Sequence, residues 1–84
     1  MLTIQYFASI REALDREQEQ LELPVSVSTV DQLINHLLEL NPHFESVFHD
    51  RTKILVAVNQ TVADKNCQLA DNDEVAFFPP MTGG

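Results

Sequence analysis

A chain of 84 residues has room for one domain, and a domain that small buries only about 60% of its unfolded surface, so its core is thin. Apolar residues make up 44% of it, which excludes disorder over most of the length, and two glycines with four prolines exclude a low-complexity chain. Thirteen acidic residues against five basic ones give a net charge of −8, which speaks against nucleic acid or an anionic membrane as partner and leaves a basic protein surface or simple solubility.

Leu2 to Ala8 alternates, with Leu2, Ile4 and Tyr6 on one face and Thr3, Gln5 and Phe7 on the other, and reads as a strand. Ser9 is placed to cap a short helix through Leu14, with Glu12 completing a capping box. Gln20 to Val25 reads as a second strand, with Leu21, Leu23 and Val25 on one face and Pro24 marking an edge or an end. Val30, Leu33, Ile34, Leu37 and Leu38 follow the spacing of one helical face. Ser28 or Thr29 caps that helix, with Asp31 or Gln32 three residues on, and Asn41-Pro42 stops it. Ile54 to Val58 is a third strand, Asn59-Gln60 a turn, and Thr61 to Ala63 a short fourth strand. Asp71-Asn72-Asp73 is a further turn before the last strand, Glu74 to Phe78, which Pro79-Pro80 ends.

This order predicts an α+β fold of the β-grasp (ubiquitin-like) kind: a mixed five-stranded sheet packed on one long helix, with additional short helices. The first and last strands are expected to be central neighbours. The domain is expected over residues 1–80, followed by a flexible Gly-Gly tail at 81–84. The set Leu2, Ile4, Tyr6, Ile54, Val56, Val58, Val75 and Phe77 then faces the helix. Phe7, Leu55, Ala57, Ala76 and Phe78 fall on the opposite face, an apolar patch of the kind that marks a protein interface. The other disposition has residues 43–53 folding back over it.

Few residues offer chemistry of their own. His36, His43 and His49 lack the spacing of a zinc site, and Cys67 is the single cysteine, so no metal is expected. Cys67 has only Lys65 nearby to activate it and reads as a partly buried, inert thiol. Asp71 and Asp73 read as solvated turn residues. The chain carries no glycine-rich nucleotide loop, so no cofactor is expected to bind directly. The start MLTIQYFA lacks the pattern of a secretory signal, no stretch approaches the roughly 20 apolar residues of a membrane span, and one cysteine permits no intrachain disulfide. A reduced, cytoplasmic protein is expected. What remains is the end of the chain. Pro79-Pro80 stiffens the exit from the sheet, and Gly83-Gly84, without side chains, can thread a narrow channel and present a carboxylate.

The stretch Asp73-Glu74-Val75-Ala76-Phe77-Phe78-Pro79-Pro80-Met81-Thr82-Gly83-Gly84 resembles the C-terminal signature of the MoaD family, the small subunits of molybdopterin synthase. Val58-Asn59-Gln60 and Tyr6-Phe7-Ala8 with Arg11-Glu12 are similar to that family too, as are the length and element order. The resemblance implies a sulfur carrier that is not an enzyme by itself. A ubiquitin-activating-like adenylyltransferase spends ATP to adenylate the carboxylate of Gly84, and sulfur then converts it to a thiocarboxylate. The large subunit of molybdopterin synthase takes in the tail, and sulfur passes to precursor Z (cyclic pyranopterin monophosphate). Two such transfers build the dithiolene of molybdopterin, in an assembly of two small subunits on a dimer of large ones. By the same resemblance Gly83, Thr82 and Met81 give the tail its access. Phe7, Arg11, Val62, Phe78, Pro79 and Pro80 match partner-binding positions. A ubiquitin-like protein modifier, a thiamine-pathway sulfur carrier and a plain β-grasp interaction module whose tail plays no part are the alternatives.

Overall fold

The computed structural model describes residues 1–80, so the expected tail at 81–84, with Met81, Thr82, Gly83 and Gly84, lies outside the described residues. The described chain runs β1 (Leu2–Tyr6), α1 (Ala8–Leu14), β2 (Gln18–Leu21), α2 (Val30–Leu40), α3 (Glu45–Phe48), β3 (Leu55–Val58), β4 (Thr61–Ala63) and β5 (Glu74–Phe78). Single 3-10 turns at Pro42–Phe44 and Arg51–Lys53 flank α3. The strands form one sheet in the order β2-β1-β5-β3-β4. β1 and β5 are parallel and central, and the other pairings are antiparallel. This is the expected mixed sheet of a β-grasp fold. No helix among the described residues is long and apolar enough to cross a membrane.

A parallel pair needs a crossover between its strands, and here everything from α1 to β4 serves as that crossover. The core follows from it. Leu2, Ile4 and Tyr6 of β1, Val56 of β3 and Val75 and Phe77 of β5 turn to one side of the sheet and are buried. Val30, Leu33, Ile34 and Leu37 of α2 pack against them with no exposed surface, one stripe of the helix closing one face of the sheet. The helix start is the expected capping box. Thr29 Oγ1 accepts the Gln32 backbone N–H at 3.3 Å, and Gln32 Oε1 accepts the Thr29 N–H at 3.3 Å. Asn41 closes the helix and Pro42 opens the next turn.

Residues 43–53 settle the alternative left open by the sequence. Phe44 and Phe48 enter the core on the helix side. Phe44 meets Tyr6 edge-on with ring centroids 6.0 Å apart, and Phe48 meets Phe77 edge-on at 5.2 Å. The segment is tied to α2 by Arg51, whose guanidinium donates to Asp31 Oδ1 at 2.6 Å and to the Asn35 side-chain oxygen. Residues 43–53 therefore thicken the layer that already covers the core and leave the opposite face of the sheet open.

Two local expectations are corrected. Ser9 does not cap α1. The helix begins two residues earlier than a Ser9 cap implies, with Phe7 in the cap position, no side-chain cap, and Ala8 at φ 53°, so Ser9 lies inside the first turn and Glu12 completes no box. The second strand is Gln18–Leu21 rather than Gln20–Val25. Its register is fixed by pairing with β1, Leu2 opposite Leu21 and Gln5 opposite Gln18. Leu21 and Leu23 pack against the core, but Val25 is fully exposed, so the apolar alternation runs past the end of the strand. Leu38, half-buried, packs against the core as its helical spacing predicts.

Candidate functional site

The site is the open face of the sheet. Side chains alternate along a strand, so each buried residue of β1, β3 and β5 has neighbours pointing the other way. In register these form rows. Leu55 lies opposite Phe78, Ala57 lies opposite both Ala76 and Val62, and Gln5 lies opposite Ala76. Phe7 extends β1 by one residue, and its ring stacks on Phe78 with centroids 4.7 Å apart and planes 8° from parallel. Phe7 is 38% exposed, Leu55 41% and Val62 82%, while the small side chains of Ala57 and Ala76 lie buried beneath their larger neighbours.

Large residues at the margin and alanines in the middle make a concavity of about 360 Å³. Ala57 and Ala76 form its floor, and Phe7, Phe78 and Val62 its apolar walls. Gln5, Gln60 and Glu74 supply its polar rim. Gln5 Nε2 donates to the Glu74 carboxylate across that rim at 3.5 Å. A stacked aromatic pair left in water is an uncovered apolar surface with a fixed shape, which suits it to a partner's side chains.

The structure brings Phe7, Phe78 and Val62 of the expected partner-binding set into this one concavity. Arg11, exposed on α1, lines a smaller hollow beside it together with Gln5 and Phe7. Pro79 and Pro80 are separate. They turn toward α1 and α3 and line a hollow with Ile10, Ala13, Val47 and Ile54. Sequence reasoning missed Gln5, Gln60 and Glu74 as members of the site. The signal was present, since Gln5 is two residues from Phe7 and Glu74 two from Ala76 on the same alternation.

The other candidates have structural places. His43 packs edge-on against Phe44 at 4.9 Å, His49 Nδ1 lies 3.2 Å from the Ser46 carbonyl, and His36 is half-buried on α2. Among the described residues, no three His, Cys, Asp or Glu side chains gather as a metal site. Cys67 is half-buried against the core, and its carbonyl accepts the Val30 N–H at the start of α2. Asp73 holds its turn closed by accepting from the Ala70 N–H at 2.8 Å and from the Asn59 amide at 3.0 Å. Tyr6 donates its hydroxyl to Glu19 at 2.7 Å, and Arg16 donates to the same carboxylate at 2.9 Å. Burial, reinforced by that carboxylate, pushes the Tyr6 phenol well above its ordinary range and keeps it a neutral donor. No serine, threonine or cysteine side chain of the described residues is hydrogen-bonded to a histidine ring.

Comparison with known proteins agrees with this geometry. The ThiS family model matches residues 4–84. The molybdopterin synthase sulfur carrier subunit of Escherichia coli K12 is 37% identical over 84 residues, covering 100% of both chains. That of Haemophilus influenzae is 34% identical, again over 100% of both. Among solved structures, SAMP1 of Haloferax volcanii, a small archaeal modifier protein, superposes with a TM-score of 0.79 at 28% identity, covering 99% of this chain and 98% of that one. With a β-grasp fold, an uncovered aromatic face and end-to-end similarity of this kind, the chain belongs to the ThiS family and, within it, to the sulfur carrier subunits of molybdopterin synthase.

Proposed function

We propose that this chain is the small subunit that carries sulfur to molybdopterin synthase in the cytoplasm, the reactive atom being held on the carboxyl group of Gly84. The observation that carries this reading is the unbroken correspondence with the Escherichia coli carrier subunit over 100% of both chains, which leaves no segment of either unmatched. The open face of Phe7, Phe78, Leu55 and Val62 supports it, since a carrier handed between enzymes needs a docking surface besides its reactive end.

A carboxylate resists attack by nucleophiles until one oxygen becomes a good leaving group. In the proposed cycle an activating adenylyltransferase joins the Gly84 carboxylate to the α-phosphorus of ATP and releases pyrophosphate. A sulfur nucleophile then displaces AMP, leaving a thiocarboxylate. Docked on the large subunit, the carrier presents that sulfur to precursor Z, and hydrolysis of the acyl link returns the plain carboxylate. Gly83, Thr82 and Met81 give the tail passage, and Phe7, Phe78, Val62 and Arg11 form the docking contact. Pro79 and Pro80 set the direction in which the chain leaves the sheet. The large subunit supplies the catalytic side chains, in a heterotetramer of two small and two large subunits. The net charge of −8 favours encounter with basic rims on both partners, an effect on association rate more than on affinity.

The test is mass spectrometry of the protein after incubation with the activating enzyme, ATP and a sulfur donor. The expected product has one carboxyl oxygen of Gly84 replaced by sulfur. Finding the plain carboxylate alone sinks the reading. Similarity to a small archaeal modifier protein favours a second reading, in which Gly84 forms isopeptide bonds. Gly84 linked to lysines of many proteins in cell extracts would establish that one.

A further inference from the structure

The turn between β3 and β4 has two central residues, Asn59 at φ 52° and Gln60 at φ 70°, with Val58 and Thr61 paired on either side. Two-residue hairpin turns with both central residues at positive φ strongly favour glycine at the second place, because a Cβ there crowds the backbone. Asn59 is accounted for by the fold. Its side chain donates to Asp73 at 3.0 Å and accepts the Glu74 N–H at 3.0 Å, tying the hairpin to the last strand. Gln60 has no such tie. It is exposed, and among the described residues its side chain makes no hydrogen bond to the chain. It stands on the rim of the open-face concavity, near Val62 and across from Gln5 and Glu74.

We infer that Gln60 is a specificity-determining residue for docking, held in the left-handed turn so that its amide stands at the edge of the concavity floored by Ala57 and Ala76. This rests on the docking reading above and names the chemistry of what docks there. The occupant is the large synthase subunit. It seats one apolar side chain on the alanine floor between the Phe7/Phe78 stack and Val62, and places hydrogen-bonding groups on either side. Gln60 offers that segment both a donor and an acceptor. Glu74, whose neighbour across the rim is the neutral Gln5, accepts from an N–H or a cation. A glycine would suit the turn better and leave the rim without a polar group. A non-glycine residue at positive φ, exposed on the rim and with no side-chain partner inside the described fold, is placed to act toward something outside it.

The experiment is isothermal titration calorimetry of the full-length chain with the large molybdopterin synthase subunit of the same organism, together with thermal melts of each variant. Gln60→Gly and Gln60→Asn both keep a residue suited to the left-handed turn and remove the reach of the amide. Each is expected to bind about 10-fold more weakly, equivalent to about 1.4 kcal/mol, with a melting temperature no lower than that of the native chain. Binding within twofold of native for both variants overturns the inference and leaves the docking reading standing. So does weakened binding that appears only together with a lowered melting temperature in both, since that assigns the effect to the turn. If the native chain does not bind the large subunit at all, the docking reading and this inference fall together.

Discussion

The two faces of the sheet are built from the same strands one residue out of step, and they have opposite fates. Phe77 and Phe78 are neighbours in the chain. Phe77 has no exposed surface and touches Tyr6 and Phe48, while Phe78 stacks on Phe7 in contact with solvent. On the helix side the large side chains interlock with α2 and with residues 43–53. On the open side large side chains ring a floor of two alanines and nothing in the described chain covers them. A fold that needs only one face for its stability has the other free for binding, and adjacent residues can then be separated by experiment into those that hold the fold and those that serve a partner.

The largest expected effect comes from the buried side. Phe77→Ala removes a ring packed at the centre of the core and should cost about 3–5 kcal/mol. That is a large share of the 5–15 kcal/mol typical of a domain, so urea denaturation should find the variant mostly or wholly unfolded. Phe78→Ala, one residue away, loses a half-buried ring stacked on Phe7 and should cost about 1 kcal/mol. Equal destabilisation by the two would break the comparison. The same Phe78→Ala variant, folded, should lose affinity for the large subunit by on the order of 30-fold or more, as truncation of a central aromatic contact does. Calorimetry reads this directly, and native-like binding by Phe78→Ala would remove the open face as the docking surface.

Much of this division is legible in the sequence, for reasons that differ element by element. The helical spacing of Val30, Leu33, Ile34 and Leu37 and the alternation in β1, β3 and β5 each reflect burial on one side only, so periodicity reports them. The stacking of Phe7 on Phe78 follows from both lying at the outward end of adjacent parallel strands. The limits of β2 are not legible, because main-chain pairing to β1 chooses the register and takes in the polar residues Gln18 to Gln20. Leu23 reaches the core from beyond the strand. Phe44 and Phe48 were hidden for a similar reason. Phe44 ends a single 3-10 turn and Phe48 a one-turn helix, each too short to show a period, and only the docking of the whole segment buries them. In the site, the apolar walls could be read from alternation, while the polar rim required the rows across strands that bring Gln5, Gln60 and Glu74 around one hollow.

A change confined to the helix layer should sharpen the contrast at smaller amplitude. Thr29→Ala removes the side-chain acceptor for the Gln32 N–H and half of the capping box, at a cost of about 1 kcal/mol. The melting temperature should fall, while affinity for the large subunit measured below that temperature stays native. A parallel loss of affinity would mean that the two faces are coupled through the sheet.

The smallest expected effect lies at the margin of the covering segment and depends on pH. Asp50 caps the turn at Arg51–Lys53, accepting from the Thr52 hydroxyl at 2.5 Å and from the Thr52 N–H at 3.1 Å. The hydroxyl contact is the main reason its carboxyl is held below the usual range, with the Thr52 N–H and the Lys53 charge acting in the same direction. A carboxylate with a lowered value in the folded state stabilises the fold above its unfolded value of about 3.9, and that contribution is lost as pH falls through the folded value. Asp50→Asn keeps the shape and an acceptor but removes the charge. Its melting temperature should therefore lie slightly below native near neutral pH, and the gap should close in strong acid, where the native carboxyl is protonated too. Because the carboxylate stands in solvent, the gap is small and added salt should narrow it further. A gap that stays constant from neutral pH into acid would show that Asp50 acts through its hydrogen bonds alone. In either case binding at the open face should not respond to the substitution, because the turn that Asp50 caps begins with Arg51, which anchors the covering segment to α2 on the far side of the sheet.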